Sequence, residues 1–242
     1  MATDPLNIKV DETHIVSALL QRPDRALACL VLAHGAGAGM THRFMAAVAD
    51  GLAERRIASL RFQFPYMENG SKRPDRPALA HATIRAAVAT AAERQPELPL
   101  FAGGKSFGGR MAAQAQAEAP LPNIRGLVFL GFPLHPANKP SAGRAEHLTA
   151  IRIPMLFVQG TRDALAATEL LVPMVEALGS AATLCLIDQA DHSFHVPVRS
   201  GRTDAEVLGR ALDQTAAWIQ AVIPTSAGSG SPPNPPPGRS PP

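Results

Sequence analysis

Short apolar runs alternate along the chain with alanine-rich segments whose apolar residues recur at helical spacing. The apolar runs occupy residues 26–34, 57–64, 98–104, 124–132, 153–160 and 182–188. The helical segments occupy residues 41–55, 77–94, 107–118, 166–178 and 203–222. The apolar runs lack polar alternation, which indicates strands buried on both faces. The pattern therefore predicts an α/β fold with a mostly parallel central sheet and helices on both faces.

Both ends of the chain depart from this alternation. Residues 6–20 are expected to add one or two N-terminal strands. Residues 224–242 hold eight of the 23 prolines and no large apolar residue, so we expect a disordered tail after an α/β domain of residues 1–223. A proline-rich tail could bind an aromatic-lined adaptor domain, but it has no flanking arginine pattern beyond Arg239, which favours a solvated appendage.

The composition is that of an ordinary globular protein, with 46% hydrophobic and 18% charged residues in a chain of 242. The formal net charge is +3, but the arginines are scattered without clustered aromatic residues, which argues against a nucleic-acid partner. No apolar run approaches the roughly 18 residues that span a bilayer, and the N-terminus lacks a signal-sequence pattern. We therefore expect a cytoplasmic protein without a membrane partner.

The segment FAGGKSFGGR, residues 101–110, fits two different motifs. Its GKS run matches the end of a phosphate-binding loop, whereas GKSFG spells G-x-S-x-G, the turn that presents a nucleophilic serine. The phosphate loop needs a glycine where this chain has Pro99, which has a fixed φ and no N–H to donate. An apolar strand before the turn and an alanine-rich helix after it favour the serine motif. We predict that Ser106 is a nucleophile.

The partners that such a serine needs follow in the order expected for this turn, which is serine, acid, histidine. Asp163 and His192 each come just after a predicted strand, so both should lie at the same sheet edge as Ser106. His192 would take the hydroxyl proton, and Asp163 would hold the imidazole in the right tautomer. These three residues are the predicted catalytic triad.

Other roles for these side chains stay open at this point. Asp163 could cap the helix that follows it, and His192 could be a surface histidine. His195 is a rival base, and Asp188 and Asp191 are rival acids. Asp191 is disfavoured because it is adjacent to His192 in sequence, which gives poor geometry for a side-chain bond to the imidazole.

A glycine-rich loop after the first long strand predicts an oxyanion hole. LAHGAGAGM, residues 32–40, places three glycines in five positions, which lets backbone N–H groups approach a substrate. We assign one donor to the backbone N–H of Phe107, the residue after the nucleophile. The other donor is assigned to Ala36, with Gly37 as the nearest alternative.

Six blocks in order carry a resemblance to a known family: HGAGAGMTHRFM, LRFQFPYMENGSKRPD, GGKSFGGRMA, GFPLHP, VQGTRD and ADHSF. Together they resemble the α/β-hydrolase superfamily, specifically its small dienelactone-hydrolase-like branch of predicted hydrolases, over roughly residues 26–222. The same branch also resembles a subunit of a nuclear histone-acetyltransferase complex, so the fold can serve as a scaffold. Here all three positions of the predicted triad are filled.

The resemblance also bears on the two cysteines, which lie in apolar runs where a thiol behaves as a small buried hydrophobe. It implies that the strands of Cys29 and Cys185 are about four places apart in the sheet. At about 4.8 Å per strand this is roughly 19 Å, too far for a disulfide. Two reduced, structural thiols are therefore expected.

A cap domain over the site is not expected. Only about 20 residues separate the strand ending near Phe132 from the strand starting at Pro154, too few for an independent cap. We predict a shallow, open site that suits short acyl groups, with walls from residues 34–44, 64–75 and 132–140. Four cations in these walls could attract an anionic group of the substrate: Arg43, Lys72, Arg73 and Lys139.

The features together predict a serine hydrolase that cleaves a small ester-type substrate through an acyl-enzyme on Ser106. This chemistry needs no metal and no organic cofactor. One alternative is a thioesterase or lactonase with the same triad, which differs only in the shape of its pocket. The other is a non-catalytic interaction module on this fold, for which the proline-rich tail would be the docking element.

Overall fold

The structure, a computed structural model, describes residues 3–223 and contains one eight-stranded sheet within that range. The strands are β1 (Thr3–Lys9), β2 (Ile15–Gln21), β3 (Ala28–Ala33), β4 (Ile57–Phe62), β5 (Leu100–Lys105), β6 (Ile124–Leu130), β7 (Met155–Gly160) and β8 (Ala182–Ile187). Their order across the sheet is β1-β2-β4-β3-β5-β6-β7-β8. β2 pairs antiparallel with β1 and β4, and every other neighbouring pair is parallel.

Helices cover both faces of this sheet. They are α1 (Arg43–Glu54), α2 (Pro65–Glu68), α3 (Pro77–Arg94), α4 (Phe107–Glu118), α5 (Thr168–Ala177) and α6 (Asp204–Val222). Short 3₁₀ helices lie at Gly143–Ala150, Gly179–Ala181 and Val198–Ser200. One core layer lies between the sheet and α3, α4 and α5, and the other between the sheet and α1 and α6.

The central strands are apolar on both faces because each face has its own core layer. Successive side chains of a strand point to opposite faces. On β3, residues 29, 31 and 33 enter the layer beneath α3 and α4, whereas residues 28, 30 and 32 enter the layer beneath α1 and α6. All six residues of this strand are buried. This explains why the strand shows no polar alternation.

The predicted α/β architecture is confirmed. All six predicted strands and all five predicted helical segments are present, and residues before β3 form two strands. The predicted bounds of α3, residues 77–94, coincide with the observed ones. The four-residue helix α2 was not predicted. Between β6 and β7 the described chain forms only loops and the 3₁₀ helix Gly143–Ala150, so no separate cap domain is present there.

Three further predictions can be placed on this fold. Cys29 on β3 and Cys185 on β8 are separated by four steps in the sheet order, as the resemblance implied, and both are free thiols. None of the described helices is long and apolar enough to cross a membrane. The tail predicted for residues 224–242 lies outside the described residues.

Candidate active site

Ser106 lies on a sharp turn between β5 and α4. Its backbone has φ 51° and ψ −114°, a conformation that non-glycine residues rarely adopt. Close backbone contacts flank the turn: a Cβ at Gly104 would lie 2.2 Å from the carbonyl oxygen of Ala33, and one at Gly108 would lie 2.5 Å from that of His34. Glycine is required at both positions because β3 and the loop after it pass directly against the turn.

The structure brings the three predicted triad residues into one chain of hydrogen bonds. Nε2 of His192 lies 2.8 Å from Oγ of Ser106, and Nδ1 of His192 lies 2.7 Å from Oδ2 of Asp163. Because a carboxylate only accepts hydrogen bonds, Nδ1 carries the ring proton and Nε2 is left to accept the proton of the serine hydroxyl. The three side chains come from the carboxyl ends of β5, β7 and β8.

The carboxylate of Asp163 is fully buried and held by its surroundings. Oδ1 accepts the backbone N–H of Leu165 at 2.8 Å, and Oδ2 accepts a hydrogen bond from the side-chain amide of Gln159. That amide is oriented in turn because its oxygen accepts the backbone N–H of Phe132 at 2.8 Å. The N-cap of α5 is Ala167, so Asp163 does not cap that helix.

The rival side chains of the same region make other contacts. The side chain of His195 is 51% exposed, and its Nδ1 lies 3.6 Å from the carboxylate of Asp191. Asp191 accepts backbone N–H groups of its own turn, including that of His195 at 2.9 Å. The carboxylate of Asp188 lies 3.2 Å from the guanidinium of Arg202. Within residues 3–223, the side chain bonded to the Ser106 hydroxyl is therefore His192.

Backbone N–H groups without protein acceptors lie near Ser106. Within residues 3–223, the N–H groups of Ala36, Gly37 and Phe107 have no intramolecular acceptor. Phe107 is the first residue of α4, where a helix leaves its N–H groups unpaired. Ala36 and Gly37 line the same cavity as Ser106. Both stay candidates for the second donor of an oxyanion hole.

Two side chains without an assigned role in the sequence analysis hold the loop that carries Ala36 and Gly37. The backbone N–H of Phe64 donates to Nε2 of His34 at 3.0 Å, so the ring proton is on Nδ1, which donates to the carbonyl of Gly35 at 2.7 Å. Burial lowers the pKa of His34 to about 4, which keeps it neutral. The hydroxyl of Tyr66 donates to the carbonyl of Ala36 at 2.9 Å. These hydrogen bonds fix the carbonyls of the loop and thereby orient its N–H groups.

A cavity of about 720 Å³ opens beside Ser106, between the first turns of α1 and α6. Its apolar walls include Ala38, Phe44, Met45, Leu165, Phe194 and Leu208. Of the three predicted wall segments, only residues 34–44 contribute, and Arg43 is the predicted cation among them. The other walls come from Leu165, from residues 192–195 and from the start of α6, which lies beside α1 on the same face of the sheet.

The described residues contain no cluster of three or more His, Cys, Asp and Glu side chains placed to hold a metal ion.

The comparisons with known proteins agree with this architecture. The family model for the alpha/beta hydrolase domain matches residues 26–220. A dienelactone hydrolase from Anabaena variabilis superposes with a TM-score of 0.73 at 20% identity, over 91% of this chain and 97% of that chain. XC6422 from Xanthomonas campestris, described as a serine hydrolase without a lid, gives 0.69 at 19% identity, over 89% and 94%.

A third solved structure contains a bound ligand. Est1E from Butyrivibrio proteoclasticus with ferulic acid superposes with a TM-score of 0.64 at 19% identity, over 89% of this chain and 99% of that chain. At such identities the three structures establish a shared fold and leave the chemistry of this chain to its own residues.

Proposed function

The chain belongs to the alpha/beta hydrolase domain family, as its six sequence blocks predicted, and from that premise we propose that it is a serine hydrolase that cleaves a small ester. Family membership supports hydrolase activity. The observation that carries the finer proposal is the chain of hydrogen bonds from Ser106 through His192 to Asp163. We assign the three residues the roles of nucleophile, general base and orienting acid.

The proposed reaction proceeds in two halves. Ser106 attacks the ester carbonyl while His192 takes the hydroxyl proton, and the imidazolium then gives that proton to the departing alcohol. Water next attacks the acyl-enzyme with His192 again as the base, which releases the carboxylic acid and the free serine. Asp163 stabilises the imidazolium in both halves. No step requires a metal or an organic cofactor.

The negative charge of the tetrahedral intermediate needs two donors, which we assign to the backbone N–H groups of Ala36 and Phe107. Both lack a protein acceptor within residues 3–223, and the hydrogen bond from His34 to the carbonyl of Gly35 fixes the peptide plane that carries the Ala36 N–H. Losing one such donor typically costs about 10²–10³-fold in kcat. The pre-set geometry of the loop supports this assignment because it needs no rearrangement during the reaction.

Covalent labelling tests whether the protein is an enzyme or a non-catalytic module. A fluorophosphonate probe should modify Ser106 stoichiometrically, since the Ser106 hydroxyl donates to Nε2 of His192, which activates it as a nucleophile. Peptide mass spectrometry of the labelled protein identifies the modified residue. The exposed serine Ser180 serves as an internal control and should stay unlabelled. Labelling at a different residue, or none at all, would contradict the proposed function.

The lack of a cap domain in the described chain between β6 and β7 should limit the length of the acyl group. Along a series of nitrophenyl esters, we expect kcat/KM to rise by up to about fourfold per methylene, which corresponds to about 0.8 kcal/mol for each buried CH₂. The rise should stop at about eight carbons, because no cap domain among the described residues between β6 and β7 extends the apolar walls of the cavity for a longer chain. The measurement is the ratio of kcat/KM between successive esters.

The variant Leu208→Trp serves as the matched control because it fills the cavity from α6. The tryptophan should shorten the acyl chain at which kcat/KM is highest and leave kcat/KM for the acetate ester almost unchanged. A rate that keeps rising well beyond eight carbons would show an apolar tunnel. A panel of thioesters and lactones in the same assay decides between an esterase and the thioesterase or lactonase alternatives, which use the same triad.

The remaining assignments are proposals of the same kind. We propose residues 1–223 as the catalytic domain, a boundary supported by the end of α6 at Val222 and by a family match that ends at residue 220. The partner we propose is a small-molecule ester. A cytoplasmic location and the absence of a nucleic-acid partner stay predictions.

A further inference from the structure

Lys105, the residue immediately before the nucleophile, sends its side chain beneath the proposed base. It is the last residue of β5, and only 8% of its surface is exposed. Its Nζ donates a hydrogen bond to the backbone carbonyl of His192. The stem of the side chain passes the loop after β3, where a Cβ at Gly35 would lie 3.6 Å from Cγ of Lys105. One side chain thus links the serine turn, the donor loop and the histidine loop.

The surroundings of this ammonium are mostly apolar. Nζ lies 5.8 Å from the ring centroid of Phe44 and 5.6 Å from that of Phe194, two rings that stack on each other. Within residues 3–223, no carboxylate forms an ion pair with it. Burial lowers the pKa of Lys105 to about 8, while the more distant charges of Asp163 and Asp191 oppose that shift.

The ammonium of Lys105 occupies space that is open because residue 131 is a glycine. Gly131 follows β6, and a Cβ there would lie 2.7 Å from Nζ of Lys105, 3.3 Å from the carbonyl oxygen of His192 and 3.4 Å from Cε1 of its ring. The ammonium and the imidazole are therefore close neighbours. A buried ammonium without a carboxylate partner is a poor source of folding stability, so stability does not explain why Lys105 is buried here.

We propose that Lys105 is a positioning residue for His192: it holds the His192 carbonyl, sets the imidazole against Ser106 and, as a neighbouring cation, disfavours the protonated ring. The charged groups around the imidazole are the carboxylate of Asp163, which bonds Nδ1, and the ammonium of Lys105, while the charge of Asp191 acts on that ammonium. The expected loss of ester turnover rests on the proposed function. The expected change in the titration of the His192 ring does not.

The test is Lys105→Met, which keeps an unbranched side chain one atom shorter and removes its charge and its donor. We expect kcat for a nitrophenyl ester to fall by about ten- to hundredfold with little change in KM, since a misplaced base costs turnover more than binding. The acid limb of the pH profile should move to higher pH by about 0.5–2 units, because the protonated imidazole is no longer repelled. The melting temperature should change little, because the lost hydrogen bond to the His192 carbonyl offsets the gain from removing a buried charge.

Nuclear magnetic resonance of ¹⁵N-histidine-labelled protein gives the second readout. The titration midpoint of the His192 ring should move in the same direction as the acid limb. Lys9→Met is the matched control: it removes one charge from an exposed lysine of β1 that pairs with Glu12, and it should change neither readout. A kcat within twofold of the wild type, or an unmoved His192 midpoint, would overturn the inference. If the wild-type protein lacks ester turnover, the midpoint alone decides.

Discussion

Replacing Ser106 with alanine should reduce kcat for a nitrophenyl ester by about 10⁴-fold or more, the usual cost of removing a nucleophile that works with a base. The hydroxyl is the group that Nε2 of His192 contacts at 2.8 Å, and alanine provides nothing that can form an acyl-enzyme. The backbone of the turn accepts alanine as it accepts serine, so the melting temperature should change little. Initial rates and a thermal melt on the same preparation check both expectations.

Ser180→Ala is the control for this experiment, since Ser180 is exposed and lies in the 3₁₀ helix before β8. It should retain the wild-type rate. Turnover of the Ser106→Ala protein above a few per cent of the wild-type rate would rule out the assigned nucleophile. Loss of the folded state in that variant would show that the hydroxyl has a structural role.

Replacing His192 with alanine should cost about as much as replacing the nucleophile, because the triad members act as a unit. The residual activity should also lose the acid limb of the pH profile, which in the wild-type enzyme reports protonation of the base. Activity falls as the pH falls because only the neutral ring can accept the serine proton. The measurement is kcat/KM across the pH range.

His195→Ala provides the comparison, because it removes a second histidine from the same loop. The ring of His195 is half exposed and lies near carboxylates rather than near Ser106. The acid limb should therefore stay in place in this variant. The opposite pattern, with the limb lost in His195→Ala and kept in His192→Ala, would transfer the role of the base to His195.

The fold was largely predictable because each central strand is buried on both faces and so forms a short apolar run that alternates with longer helical segments. The bounds of α3 were also predictable, since Pro77 occupies its first turn, where a proline loses no hydrogen bond. The helix α2 was missed because four residues carry almost no periodicity. Its position depends on a tertiary contact, the bond of the Tyr66 backbone N–H to the carboxylate of Asp75 at 3.1 Å.

Some parts of the candidate site were predictable from the sequence and others were not. The triad positions followed from strand ends, because parallel strands place their carboxyl ends at one edge. The cavity walls did not follow, since the sequence does not say which face of the sheet α6 covers. Lys105 drew attention only as part of a phosphate-loop pattern. The contact that defines its environment lies 87 residues away in the chain, on His192, where no local pattern reveals it.

The backbone of Ser106, with its φ of 51°, also bears on how a protein of this kind would change over generations. Holding a residue with a side chain in that region costs about 1–3 kcal/mol, a sizeable part of the roughly 5–15 kcal/mol that keeps a domain folded. Glycine at the same position would recover much of that energy. In a lineage without selection for the proposed chemistry, drift toward glycine at position 106 would then be favoured by stability alone, so a serine there carries a thermodynamic disadvantage that its proposed role as a nucleophile would offset.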